Sequence, residues 1–267
     1  MTSRTGERSS VLIWTGGNRV LAALPPEERA SLRANLTKLS ATSGQVLYEQ
    51  GGVIDAVYFP ETAVASLIIR MQTGGVAEVG TLGNESMVGL AVLLGADVSL
   101  TETLVQIPGM MQRMSISSFR TSIEELPHFR SVIAGCMNSF MAQVSQTAAC
   151  NGLHPIEQRC ARWLLLTHDR VAGAESFPLT HQFLSFMLSV RRAGVTEALG
   201  ALTAAGCISL ERGRITIVDR LGLEAACCEC YAAVRTGAGT PFGDHVAGDS
   251  IHRTSSTTLI GSASVAR

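Results

Sequence analysis

The stretch LTHQFLSFMLSVRRAGVTEALGALTAAGCISLERGRITIV, residues 179–218, decides the fold of the second half of this chain. Thr180 is suited to cap a first helix, and residues 188–190 supply a turn. A second helix is expected from about Arg191 until Gly206 stops it. Its apolar residues recur at i, i+3, i+4 and i+7, namely Val195, Ala198, Leu199 and Leu202. Alternating apolar residues then flank Arg212-Gly213-Arg214, so the whole stretch predicts a winged helix-turn-helix.

Two arginines, Arg191 and Arg192, stand at the start of the second helix. A major groove admits one helix whose first residues meet base edges, while arginines on a wing suit the flanking phosphates. An ordinary helical hairpin with a solvated arginine pair is the alternative, and the basic hairpin that follows makes it less favoured. The residues predicted to contact DNA are Thr180, His181, Arg191, Arg192, Thr196, Glu197, Arg212 and Arg214.

Length and composition indicate two modest domains. The chain has 267 residues, of which 46% are hydrophobic, enough to fill two cores. No apolar run approaches the roughly 20 residues that span a bilayer, and the N-terminus lacks the features of a secretory signal. We therefore expect a cytoplasmic protein. Its seven cysteines are an odd number, and in a reducing compartment they are expected to serve as small core residues.

The net charge of −1 is divided unevenly along the chain. Acidic residues outnumber basic ones between positions 19 and 125, whereas positions 157–220 hold eight arginines against six carboxylates. The basic excess is small. Electrostatic affinity for DNA should therefore be modest, and a dimer would be needed to add a second set of phosphate contacts.

The first domain is predicted to be mainly β after helices at positions 18–24 and 26–39. Glycine turns separate short alternating segments, which is typical of a sandwich or roll. The segments are 46–48, 57–59, 64–68, 76–79 and 104–107. No histidine precedes His128, and residues 83–86 do not fit the G-x-S-x-G nucleophile turn. We therefore expect neither an enzyme nor a cofactor.

A long helix is predicted between the two domains, beginning near Pro127. Its apolar residues follow spacings of three and four, as in a coiled-coil seam, and are Phe129, Ile133, Cys136, Phe140 and Val144. The alternative is a helix packed on its own barrel. Because this helix lies between a barrel and a predicted DNA-binding domain, dimerisation through these five residues is favoured.

The order of these parts resembles the Crp/Fnr family of bacterial transcription regulators, over roughly residues 18–231. The resemblance is carried by SGQVLYEQGGVIDAVYFPETAVASL, GNESMVGLAVLLG, CNGLHPIEQRCARWLLLTHDR and, above all, MLSVRRAGVTEALGALTAAGCISLERGRITIVDR. It implies an α+β protein with a β-roll (jelly-roll) sensor domain, a central dimerisation helix and a C-terminal winged helix-turn-helix. It also implies a homodimer on a two-fold symmetric DNA operator, with RNA polymerase as a candidate partner. The expected boundaries are 1–17 (flexible), 18–125, 126–150, 151–231 and 236–267 (disordered).

Within this resemblance, the sensor pocket departs from relatives that bind cyclic nucleotides. Those relatives carry a glutamate for the ribose after the cassette glycine, but here Leu90 follows Gly89. Their phosphate-binding arginine falls near Leu100, Thr101 and Glu102, and Glu102 would repel a phosphate. The N-terminal cysteines of iron-sulfur relatives are also absent, since the first cysteine is Cys136. The chain is therefore expected to bind an effector other than cyclic AMP, or none.

The resemblance also assigns roles in the second helix. Arg192 aligns with the family's guanine-reading arginine, and Arg191 is expected to meet phosphate. Glu197 could accept a hydrogen bond from a cytosine or could be a solvated helix charge.

Two sets of cysteines offer another function, a redox- or metal-responsive protein. Cys227, Cys228 and Cys230 follow the wing, in what is expected to be a helix capped by Asp219. Neighbouring residues on a helix point apart, so these three are not expected to converge on one ion. A second set shares no single helix face and consists of Cys150, His154, Cys160 and His168. Structural roles, and no metal site, are predicted for both sets.

Overall fold

The computed structural model describes residues 17–171 and 176–238. The flexible N-terminus predicted for residues 1–17, except Gly17, and most of the tail predicted for 236–267 therefore lie outside the described residues. The last helix continues to Ala238, so the tail prediction is corrected at its first residues.

The N-terminal half consists of short helices followed by a β-roll. Its elements are α1 (Arg19–Ala22), α2 (Pro26–Arg33), β1 (Thr37–Ala41), β2 (Val46–Tyr48), β3 (Ala56–Pro60), β4 (Val64–Arg70), β5 (Val76–Leu82), a 3₁₀ turn (Leu90–Leu94), β6 (Glu102–Ile107) and β7 (Gly109–Ser115). Helices α3 (Ile116–Glu125) and α4 (Pro127–Leu153) follow.

The roll is made of two antiparallel sheets, in the orders β1-β7-β3 and β2-β6-β4-β5. The second predicted helix ends at Arg33 and not at residue 39, because residues 37–41 pair with β7 from Thr37↔Arg113 to Ala41↔Gly109. Pairing across more than 60 residues thus overrides the local pattern. The central core of the roll includes Phe59 and Phe119.

Helix α4 begins against the first domain and is anchored there by a carboxylate. Glu28 of α2 accepts hydrogen bonds from the backbone N–H groups of His128 (3.2 Å) and Phe129 (2.8 Å). These N–H groups have no partner within the helix, so Glu28 acts as its cap from a distance in sequence. The start of α4 is thereby fixed to the roll.

The C-terminal half carries the winged helix-turn-helix. Its elements are α5 (Ile156–His168), β8 (Ser176–Pro178), α6 (His181–Leu188), α7 (Arg192–Ala204), β9 (Ile208–Glu211), β10 (Arg214–Ile217), α8 (Arg220–Ala225) and α9 (Cys230–Ala238). The wing is a three-stranded sheet in the order β8-β10-β9, of which the sequence predicted only β9 and β10. Across the described segments, no helix has both the length and the apolar character needed to cross a bilayer.

Helix α5 joins the C-terminal half to the roll through buried polar groups. The indole N–H of Trp163 donates to Glu78 Oε2 of β5 at 2.7 Å, and Gln106 of β6 donates to the Thr167 hydroxyl at 3.2 Å. An ion pair between Arg170 and Glu85 (2.8 Å) lies nearby and is almost fully buried. These three interdomain contacts are Glu78–Trp163, Gln106–Thr167 and Glu85–Arg170.

Glu78 is expected to make stability depend on pH. Its side chain is buried and its Oε1 atom has no hydrogen-bond partner, and this burial raises the pKa of its carboxyl group. A carboxyl pKa that is higher in the folded state gives stability that is complete below the unfolded pKa and is lost as pH rises through the folded pKa. Glu78→Gln should keep the acceptor for Trp163, stabilise the protein by about 1 to 3 kcal/mol at neutral pH and flatten the profile.

Denaturant unfolding at a series of pH values measures this effect, and Glu124→Gln, which changes an exposed carboxylate on α3, is the matched control. A Glu78→Gln variant that is no more stable than the parent at neutral pH would contradict the assignment.

Candidate nucleic-acid interface

The helix-turn-helix is built as its sequence pattern predicts. Thr180 caps α6, its hydroxyl accepting from the Phe183 N–H at 3.1 Å. Ser189 ends α6 in a left-handed conformation with φ of 52°. Helix α7 buries the four residues that the spacing predicts, Val195, Ala198, Leu199 and Leu202. Its opposite face is consequently directed to solvent.

The exposed face of α7 carries the predicted DNA-contacting residues. Arg191, Arg192, Thr196 and Glu197 are all exposed. Thr196 contacts α6 through its Oγ1, which lies 3.0 Å from His181 Nδ1 and also donates to the Arg192 carbonyl of its own helix at 3.1 Å. This contact fixes the angle between the two helices at the end where the arginines stand.

The wing presents a basic tip. Arg212 (φ 47°) and Gly213 (φ 77°) form a two-residue turn between the paired residues Glu211 and Arg214. Positive φ at both turn positions is the geometry that matches strand twist in tight hairpins. The guanidinium of Arg214 donates to the Ser176 carbonyl at 3.0 Å, which ties β10 to β8, whereas Arg212 extends from the turn.

Three of these arginines have guanidinium groups that bind no other group in the described residues. Within residues 17–171 and 176–238, Arg191, Arg192 and Arg212 form neither an ion pair nor a side-chain hydrogen bond, although other arginines of the same half are paired. A guanidinium in this state can donate to a guanine edge or to a phosphate without first breaking an internal bond. Arg214 would have to share its donors with Ser176.

Comparison with known proteins agrees with this geometry. Residues 158–226 match the family model described as a Crp-like helix-turn-helix domain. Residues 158–226 are therefore a Crp-like helix-turn-helix domain, the DNA-binding part of Crp-type transcription regulators.

Solved structures with the same fold cover most of the chain. FixK2 from Bradyrhizobium japonicum is 15% identical over 72% of this chain and 98% of its own, with a TM-score of 0.63. A transcriptional regulator of the CRP family from Thermus thermophilus is 17% identical over 71% and 95%, with a TM-score of 0.60. The c-di-GMP responsive regulator CLP from Xanthomonas campestris is 14% identical over 72% and 99%, also with a TM-score of 0.60. No curated protein matches the chain.

The apolar stripe of α4 lies against the protein's own β-roll. Phe129, Ile133 and Cys136 are fully buried in the roll core, and Phe140 packs on Gly80 of β5 so closely that a Cβ there would lie 2.5 Å from the ring. Val144 is half-buried. For Phe129, Ile133 and Cys136 the prediction of a dimer seam is corrected, because these three side chains already fill an intramolecular core.

A different face of α4 is open to solvent. Its exposed residues follow alternating spacings of four and three, and Met141 is 53% exposed. They are Ala134, Asn138, Met141, Ser145 and Ala148. Met141 is the one large apolar side chain among these five. We call these five residues the outer stripe.

The region predicted as a degenerate effector pocket is packed with the protein's own side chains. Gly89 has φ of 100°, and a Cβ at this position would lie 2.7 Å from the hydroxyl of Tyr48. Leu90 is buried in the roll core, and Thr101 is half-buried. Glu102 is held by Arg70 of β4 in a two-bond pair at 2.5 and 2.7 Å. This pairing commits the only arginine of β4 to a carboxylate of the same chain.

All seven cysteines are free thiols, and six of them are buried. Burial raises the pKa of Cys136 and of Cys160 to about 12, so these two stay protonated and unreactive at neutral pH. The C-terminal helix also differs from the prediction. Asp219 does cap α8, accepting from the Gly222 N–H at 3.0 Å, but α8 ends at Ala225 and Cys227 and Cys228 lie in the connection to α9.

Proposed function

We propose that this protein binds a two-fold symmetric DNA operator as a homodimer, in the cytoplasm, and responds to an effector other than cyclic AMP. The observation that carries the proposal is the set of uncommitted guanidinium groups at the exposed start of α7 and at the wing tip. Arg192 is the base reader, Arg191 and Arg212 contact phosphate, and Thr180 and Arg214 support the two ends of the contact surface. His181, Thr196 and Glu197 complete it.

The outer stripe of α4 supports the dimer. Short side chains at four of its five positions allow two backbones to approach closely, and Met141 supplies a flexible apolar side chain at the centre. Two copies of α4 packed in parallel along this stripe would place two copies of α7 on the same side of the assembly. The operator is then an inverted repeat with half-sites about 34 Å apart, one turn of DNA.

Selection of bound sequences from a random DNA pool, followed by footprinting of the enriched sites, tests the operator. An inverted repeat protected on one face of the duplex is expected. A single, asymmetric site bound by one protomer would contradict the proposal.

The packed region around Gly89 predicts that cyclic mononucleotides do not bind. Leu90 provides no ribose acceptor, and Arg70 is already paired with Glu102. A lost charge-assisted hydrogen bond costs about 1.5 to 3 kcal/mol, and the phosphate charge would also remain uncompensated. Calorimetric titration with cyclic AMP and cyclic GMP should show no binding at micromolar concentration and no change in DNA affinity. A micromolar dissociation constant for either nucleotide would overturn this prediction.

A further inference from the structure

Four potential metal ligands converge where the end of α4 meets the C-terminal segment. They are Cys150 of α4, His154 directly after α4, Cys228 in the connection before α9, and Cys230 at the start of α9. The three sulfur atoms and one imidazole nitrogen all lie within 4.8 Å of one another. The three cysteines are buried and His154 is half-buried, so the group is enclosed. We call it the Cys3His cluster.

The fold explains why these residues meet. His154 is the first residue after α4, and its backbone N–H donates to the Cys150 carbonyl at 3.1 Å, so the end of the helix holds these two residues close together. The break between Ala225 and Cys230 frees Cys228 from helical geometry, and its sulfur turns toward Cys150. Residues that would point apart on a continuous helix are thereby brought to one place.

Two distances within the cluster match those between neighbouring ligands in a tetrahedral metal site. Cys150 Sγ lies 3.6 Å from Cys228 Sγ, and Cys230 Sγ lies 3.5 Å from His154 Nδ1. With Zn–S of about 2.3 Å and Zn–N of about 2.0 Å, neighbouring ligand atoms in a tetrahedron are about 3.5 to 3.8 Å apart. Two edges of the Cys3His cluster therefore already have the lengths that a bound zinc ion requires.

Neighbouring side chains support the ligands as they do in metal sites. His154 directs Nδ1 to the cluster, while its Nε2 lies 3.3 Å from the carboxylate of Glu229. A histidine ligand usually donates its other N–H to a carboxylate or carbonyl, which fixes its tautomer and orientation. Gln146 Nε2 also donates to Cys230 Sγ at 3.0 Å.

Two buried arginines supply a complementary charge. Arg159 and Arg162 of α5 both interact electrostatically with Cys150. Each donates to a neutral oxygen, at Leu188 and Thr147, and each has a buried Nε without a partner. Neither forms an ion pair with a carboxylate in the described part of the chain. Three thiolates, one imidazole and Zn²⁺ carry a net charge of −1, which would balance part of this buried positive charge.

We propose that the Cys3His cluster binds one Zn²⁺ ion per protomer. Four protein ligands leave no open position, so the site is structural, and each thiol gives its proton to solvent as the metal binds. The ion would hold α9 and the DNA-binding domain against the end of α4. Neither cysteine set alone was predicted to bind a metal, but the fold brings Cys150 and His154 of one set together with Cys228 and Cys230 of the other.

Metal analysis of the full-length, reduced protein, purified without a metal-affinity step, tests the site. We expect about one zinc per protomer by plasma mass spectrometry. After removal of the zinc with a chelator, titration with Co²⁺ should give the intense absorption of tetrahedral cobalt bound by thiolates, and Zn²⁺ should displace it. A wild-type protein that lacks zinc and gives no such cobalt spectrum would overturn the proposal.

Variants identify the ligands. Cys228→Ser and His154→Ala should weaken Co²⁺ binding at least a hundredfold, and Glu229→Gln should weaken it about 10- to 100-fold through the orientation of His154. Cys227→Ser, one residue from a ligand, is the matched control and should bind as the wild type does. His154→Cys should restore a four-ligand site, so a folding defect in His154→Ala does not decide the result. Equal losses in Cys227→Ser and Cys228→Ser would contradict this ligand set.

Discussion

Arg192→Ala is expected to lower affinity for the operator by about 1 to 3 kcal/mol, roughly 5- to 150-fold, and to relax specificity at one base pair of each half-site. Arg192 is the first residue of α7, is exposed and has no side-chain partner among the described residues, so its substitution removes no internal bond of that side chain. The whole loss should therefore appear in DNA binding. Fluorescence anisotropy on the selected operator, on single-base variants and on random DNA measures it.

Arg212→Ala is the matched comparison at the wing tip. Because Arg212 is proposed to contact phosphate, its loss should weaken binding to all sequences alike and reduce the slope of affinity against salt by about one. If Arg192→Ala weakened specific and random DNA equally, Arg192 would be a phosphate contact and not a base reader.

Met141→Glu is expected to dissociate the dimer. Two glutamates would face each other across the outer stripe, and leaving a buried charge uncompensated costs about 3 to 5 kcal/mol. This corresponds to an increase of roughly a hundredfold or more in the dimer dissociation constant. Analytical ultracentrifugation over a concentration series measures the change, and affinity for the inverted repeat should fall with it.

The neighbouring residue provides the control. Phe140 packs on Gly80 of the same chain, so Phe140→Ala should lower the thermal unfolding midpoint and leave the dimer dissociation constant unchanged. If Met141→Glu remained dimeric while Phe140→Ala dissociated, the interface would lie on the face that the sequence pattern indicated.

Local patterns predicted the DNA-reading half well. The cap at Thr180, the buried spacing of Val195 to Leu202 and the turn at Arg212 and Gly213 depend on residues within a few positions of one another. Because these features depend only on residues close together in the chain, helix periodicity and turn residues identify them directly. Five of the seven strands of the roll were predicted for the same reason, whereas β1 and β7 were not.

Features that depend on distant contacts were not predictable in this way. β1 is a strand because β7 pairs with it, although residues 26–39 have a continuous helical pattern. The apolar stripe of α4 would have the same period whether it packed on a second protomer or on its own roll. Only the burial of its side chains in the structure distinguishes these two arrangements. Cys150 and Cys228 are 78 positions apart, and only the fold brings them together. A Cys-x3-His pair ending a helix, with a Cys-x-Cys pair elsewhere, was the available signal.

Helix α5 cannot tilt gradually on the roll, since its interdomain contacts are directional and buried. At an intermediate angle, several polar groups would lose their partners together, at about 1 to 3 kcal/mol each. We therefore expect the DNA-binding domain to adopt a few discrete orientations relative to the roll and not a continuous range. The two recognition helices of a dimer would then be offered to DNA at fixed separations. An effector would then stabilise one of these separations. Operators with a single extra base pair between half-sites should not be bound.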